Sequence, residues 1–137
     1  MKIEINKLVS DKIDLKFLEK FAKKVFKLIK LNISELSIVI IGDARMKSIN
    51  KKYRHKNKTT DVLAFDYGLQ FGGQGEIIIC LNQAKKQAKE LKHSLKKELG
   101  MLLLHGILHL AGYNDQTKRD YNKMVIKQGG IWQKIKS

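Results

Sequence analysis

Met101-Leu102-Leu103-Leu104-His105-Gly106-Ile107-Leu108-His109-Leu110-Ala111-Gly112-Tyr113-Asn114-Asp115 carries apolar side chains all round a helical wheel and interrupts them with two histidines. Apolar residues on every side mark a helix buried inside a domain. Residues four apart on a helix differ in direction by only about 40°, so His105 and His109 project together and can share one ion. Burial disfavours the charged imidazolium and leaves neutral nitrogen lone pairs free to bind a metal. Gly112 can take the left-handed conformation that stops a helix. Asp115 can then swing back towards the histidines. Three protein ligands and a water would leave the open position that a hydrolytic metal site needs.

The chain on either side supplies what such a helix packs against. Residues 1–8 alternate polar with apolar, as a strand does, and Leu15 to Leu31 sets Leu18, Phe21, Ala22, Val25, Phe26 and Ile29 at helical spacing among lysines. Leu36 to Ile41 is short, β-branched and closed by Gly42, which reads as a buried strand. Asp43 is an N-cap candidate for a helix carrying Met46, Ile49 and Tyr53, and a polar loop from Arg54 to Thr60 leads to a strand at Val62 to Phe65. Four glycines between Gly68 and Gly75 form a turn before the strand Glu76 to Cys80, so these two strands are expected to pair. Asn82 is a second cap candidate, ahead of helices over Gln83 to Leu91, Ser94 to Leu110 and Lys118 to Ile135. The last aligns Tyr121, Val125, Gln128 and Trp132, although Gly129-Gly130 weakens it by roughly 1 kcal/mol per glycine.

The order β-α-β-α-β-β-α-α-α predicts an α/β fold: a single mixed β-sheet of about four strands packed with about five helices, and a metal site on a buried helix. With 137 residues, 43% of them hydrophobic, and no linker or repeat, residues 1–137 are expected to form a single domain. No run of eighteen apolar residues exists, and Met1-Lys2-Ile3-Glu4-Ile5 does not begin an export signal. Cys80 is the one cysteine, which excludes an internal disulfide and a Cys-x-x-Cys pair and suits a reducing cytoplasm. Twenty-eight Lys and Arg against thirteen Asp and Glu leave a net charge of +15. That potential attracts polyanions, nucleic acid first among them, while abundant lysine also serves solubility.

At this point the residues carry a resemblance. His105-Gly-Ile-Leu-His109-Leu-Ala-Gly112-Tyr113 resembles the signature of the YbeY endoribonuclease family, which continues Gly-Tyr-Asp-His and supplies three metal-binding histidines. Asn50-Lys-Lys-Tyr53-Arg54 and Thr60-Asp61-Val62-Leu63-Ala64-Phe65 resemble the family's Asn-x-x-Tyr/Phe-Arg and Thr-Asp-Val-Leu-Ser-Phe stretches, and Gly75-Glu76-Ile77-Ile78-Ile79-Cys80 resembles its Gly-Asp-Ile segment. Asp115 stands where the third histidine would be, Asn114 replaces the preceding Asp, Ala64 the usual Ser and Asp66 the usual Pro.

The resemblance implies a single-strand-specific, metal-dependent endoribonuclease, cytoplasmic, acting in maturation of the small-subunit ribosomal RNA 3′ end and in ribosome quality control. Its partners would be ribosomal RNA, the small ribosomal subunit and a ribosomal protein. The metal ligands become His105, His109 and Asp115, holding one zinc ion, with iron, manganese and nickel also compatible; the added negative charge makes bound water less acidic. Arg54 falls on the family's functionally important arginine, and its planar guanidinium suits the scissile phosphate.

Other polar residues admit two readings. Lys52, Lys56 and Lys58 either contact the nucleic-acid backbone or are solvated. Glu98 either orients a metal ligand or pairs with a lysine; Asp61 orients the loop or caps a turn; His55 and His93 read as surface residues, His55 near the site through its loop. The familiar zinc-peptidase helix has a Glu base after its first histidine, where this chain has Gly106, which argues against peptide hydrolysis and leaves room for substrate to approach the helix. The alternative to catalysis is a ribosome- or RNA-binding assembly factor with a structural or vestigial metal site.

Overall fold

A computed structural model of the chain describes residues 1–54, 60–68 and 72–136, apart from the side chains of Arg54 and Lys136. Within them run β1 (Lys2–Lys7), α1 (Leu15–Ile29), β2 (Glu35–Ile41), α2 (Asp43–Arg54), β3 (Val62–Tyr67), β4 (Gln74–Cys80), α3 (Leu81–Glu90), α4 (Leu95–Leu110) and α5 (Lys118–Lys136). The order is the expected one. One mixed sheet forms, with strands in the order β1-β2-β4-β3. The first three of these run parallel, and β3 pairs antiparallel with β4 through Leu63 opposite Ile78. β3 is therefore an edge strand.

Alternation along the central strands divides their side chains between two cores, because successive residues face opposite sides of a sheet. Leu36, Ile38 and Ile40 of β2 and Ile77 and Ile79 of β4 meet α1, α3, α4 and α5 in the larger core. Ile41, Ile78, Cys80 and Leu63 meet Met46 of α2 on the other side. Burial pushes the Cys80 thiol up to about 11, so it stays protonated at neutral pH and donates to Asp43 Oδ1 at 3.2 Å.

Capping differs from the expectation at two helices. Asp43 already lies inside α2, and its backbone N–H donates to Asn82 Oδ1 at 3.0 Å. Asn82 lies inside α3, which Cys80 precedes without a side-chain cap. One asparagine thus caps the helix 39 residues before it, a contact invisible to local pattern. Asp14 and Ser94 cap α1 and α4 in the ordinary way, accepting from Phe17 and Lys97 N–H at 3.0 and 3.1 Å. Thr117 does the same for α5, and Gly129-Gly130 leave that helix unbroken. No described helix is long and apolar enough to cross a membrane.

α4 is the hub, packing on α1, α3, α5, β3 and β4. Two glycines set its depth. A Cβ at Gly106 would come within 2.9 Å of Ile77 Cγ2, and one at Gly75 within 2.8 Å of Leu110 Cδ1. Gly106 of α4 accepts Ile77 of β4, and Gly75 of β4 accepts Leu110 of α4. The space at Gly106 is therefore filled by the sheet, not held open for substrate as the sequence suggested.

Gly106→Ala should gain about 1 kcal/mol of helix propensity and lose roughly 1–3 kcal/mol through overpacking against a fully buried isoleucine. The expected result is a lowered urea midpoint with unchanged slope, and a smaller cost for Ile77→Ala in the Gly106→Ala chain than alone. A midpoint that rises would show the contact to be loose.

Candidate metal centre

His105 and His109 occupy the face of α4 one residue before Gly106 and Leu110, hence turned by about 100° from the contacts that bury the helix. Both imidazoles are partly exposed, and their Nε2 atoms lie 3.1 Å apart. α4 then stops in a Schellman arrangement: Gly112 N–H donates to the His109 carbonyl at 3.1 Å and Tyr113 N–H to the Leu108 carbonyl at 3.0 Å. Gly112 has φ of +101°, a conformation that costs a residue with a Cβ and costs glycine little. The reversal brings Asp115 Oδ2 to 3.8 Å from both Nε2 atoms. Among the described residues this is the one place where three such donor atoms converge.

The residues fit a metal ion on three grounds. A point equidistant from the three atoms lies about 2.1 Å from each, matching zinc–imidazole and zinc–carboxylate distances of roughly 2.0–2.2 Å. Two imidazole nitrogens at 3.1 Å need a proton or a cation between their lone pairs. The third ground is Gln128 on α5, whose Oε1 lies 3.2 Å from His105 Nδ1. An amide oxygen can only accept, so Nδ1 carries the proton and Nε2 keeps its lone pair towards His109 and Asp115. Such partners fix the tautomer and ring orientation of ligating histidines. Sequence reading had placed Gln128 only in the helical pattern of α5; its partner on α4 depends on how the two helices dock.

The three donors open onto a cavity of about 490 Å³ that is lined by residues 60–66, which lead into and form most of β3, and by Leu110. Asp61 anchors the start of that wall. Its carboxylate accepts from its neighbour Val62 N–H at 2.8 Å and from Gln87 Nε2 at 3.2 Å, and its carbonyl from Cys80 N–H at 2.8 Å. These contacts tie the start of β3 to α3 and β4. The donor set offers two neutral nitrogens and one anionic oxygen beside an open cleft, which is enough to hold a divalent ion with a free position.

Other candidates lie elsewhere. Glu98 is buried and, among the described residues, pairs with His93 Nε2 at 2.6 Å and not with a lysine, His105 or His109. His93 is correspondingly half-buried and not a surface residue, because the left-handed Lys92 folds the end of α3 back and the His93 N–H donates to the Ala88 carbonyl at 3.0 Å. The pair clamps the α3–α4 turn. Arg54 closes α2, with its side chain outside the described set, and His55, Lys56 and Lys58 also lie outside the described residues. Lys52 is exposed, 5.4 Å from the centre of the Tyr53 ring.

The comparisons with known proteins agree with one another. The family described as Endoribonuclease YbeY matches residues 3–136. A protein named Endoribonuclease YbeY from Aquifex aeolicus is 41% identical over 126 residues, covering 90% of this chain and 81% of its own. Another of that name from a Sulfurihydrogenibium species is 39% identical over 140 residues, covering 98% and 92%. The solution structure of TM1509 from Thermotoga maritima superposes with a TM-score of 0.63 at 25% identity, over 98% of this chain and 91% of that one.

Replacing Gln128 by Leu should weaken metal binding about 10- to 100-fold in competition with a chelator while the unfolding midpoint moves little. Gln128→Glu, which keeps an acceptor, should restore most of it. Equal affinity in all three chains would leave Gln128 without a part in the site.

Proposed function

Since the chain belongs to the Endoribonuclease YbeY family, we propose that it is a metal-dependent, single-strand-specific endoribonuclease acting in maturation of the small-subunit ribosomal RNA 3′ end. The observation that carries the reading is the triangle of His105 Nε2, His109 Nε2 and Asp115 Oδ2 at the head of the β3 cleft. The alternative, a ribosome- or RNA-binding assembly factor with a structural or vestigial metal site, is not favoured, because the relatives that match most of the chain are named endoribonucleases.

In this reading His105, His109 and Asp115 hold one zinc ion, which supplies Lewis acidity towards water or a phosphoryl oxygen when bound. The chain's own residues do the rest. Gln128 keeps the Nε2 lone pair of His105 directed at the ion. Asp115 replaces a neutral donor by an anion, lowering the site's net charge by one unit and suiting harder metals such as iron or manganese better than three imidazoles would. β3 forms the wall along which the strand to be cut lies.

Arg54 follows Tyr53, whose ring packs against Phe65, a residue of the cleft wall. That neighbourhood supports a role for its guanidinium on the scissile phosphate, where a planar fork meets two oxygens at once. The net charge of +15 draws the polyanion in and raises the encounter rate. Gly106 leaves no carboxylate base on α4 in the position a zinc peptidase uses, which keeps peptide hydrolysis out of the reading. We further propose that the chain works as a single domain in the cytoplasm on the small ribosomal subunit.

Purified protein is expected to retain about one metal ion per chain and to cut single-stranded RNA. His109→Ala should lower cleavage at least 100-fold with an unchanged far-ultraviolet spectrum, and Asp115→Ala should lose metal in elemental analysis. Cleavage that persists after complete metal removal would sink the mechanism. Full metal occupancy in Asp115→Ala would remove that residue from the ligand set.

A further inference from the structure

The edge strand that walls the cleft has a second face which the proposed chemistry leaves unused. There Phe65 and Tyr67, two apart on β3, place their rings 6.4 Å apart and within 15° of parallel. Tyr53 of α2 meets Phe65 edge-on at 6.0 Å. The half-buried Phe65 supports the other two, which are 60% and 56% exposed at Tyr53 and Tyr67. Lys52 holds its ammonium 5.4 Å from the centre of the Tyr53 ring, and the Tyr67 hydroxyl donates to Glu76 Oε1 at 3.3 Å, which restricts how that ring can turn. Phe65 also borders the cleft that contains His105, His109 and Asp115. The aromatic row and the candidate metal centre are thus the two sides of one strand edge.

Large aromatic side chains normally go into a core, and solvent gains nothing from two tyrosines held open beside a third ring. Single-stranded nucleic acids are bound by such platforms: bases splay out of their own stack onto aromatic rings while neighbouring cations take the phosphates. A duplex cannot present a base in this way. We propose that Tyr53, Phe65 and Tyr67 form a base-stacking subsite that holds unpaired nucleobases of an RNA strand passing over the β3 edge beside the metal centre. This rests on the reading of the chain as an RNA-cleaving enzyme and adds to it the part that recognises bases. Phosphate contacts cannot make that selection, since they are the same in every strand.

The test uses the intact protein and two short probes of equal charge and length, a 2′-O-methyl oligoribonucleotide and the same sugar-phosphate chain without bases, followed by fluorescence anisotropy. The base-bearing probe should bind at least tenfold more tightly. Tyr53→Leu and Tyr67→Leu, which keep apolar bulk and remove the ring, should each reduce that preference, and together abolish it. Tyr67→Phe should keep it. The salt dependence of binding should be unchanged throughout, because the phosphate contacts remain. Equal affinity of the intact protein for the two probes, or a preference that survives the double substitution, overturns the subsite. Protein that cuts RNA yet ignores the bases loses the subsite alone; protein that neither binds nor cuts RNA loses the endoribonuclease reading with it.

Discussion

The interlock of α4 with β4 governs the rest of the molecule. Helix and strand exchange side chains through two glycines, Ile77 entering the space at Gly106 and Leu110 the space at Gly75. Contacts at two points, one turn apart on the helix and two residues apart on the strand, fix both the depth and the rotation of α4. Rotation matters most for chemistry. With Gly106 and Leu110 committed to the sheet, His105 and His109 must emerge to one side, over the edge strand, where the cleft lies.

Each further part of the site follows from that rotation by a separate device. The helix ends at Leu110, just after His109, and the positive φ of Gly112 sends the chain back rather than onward. Asp115 is thereby brought to the histidines by backbone geometry, with its own side chain still exposed. α5 then crosses α4 and delivers Gln128 to the far nitrogen of His105. A rigid pair of donors, a third on a short reversed loop and a tautomer lock from another helix together form a site assembled around α4. The loop donor is the most exposed of the three.

How much of this was readable beforehand depends on the range of the interactions. Periodicity within single segments located every strand and helix, and the i, i+4 spacing of His105 and His109 needs only helix geometry. The Gly112 turn is local too. What escaped were pairings set by how elements turn and dock: Asn82 capping α2 instead of its own helix, Glu98 meeting His93 across the α3–α4 turn, and Gln128 facing His105. Gly106 is the instructive case. A glycine in a helix signals close approach by something, and the sequence does not say whether substrate or strand comes close; Ile77 decides it.

The edge position of β3 ties the two halves of the function together. β3 pairs within the sheet on one side only, with β4, and an unpaired strand edge is a liability that a protein has to manage. A nucleic-acid strand offers what that edge requires: it carries no β-sheet hydrogen-bonding pattern to propagate, and it is drawn by a net charge of +15 that repels another copy of the same protein. Charge that promotes one association therefore suppresses the other. In the proposed function the edge strand can serve as a substrate path because the same lysines that attract RNA keep like chains apart.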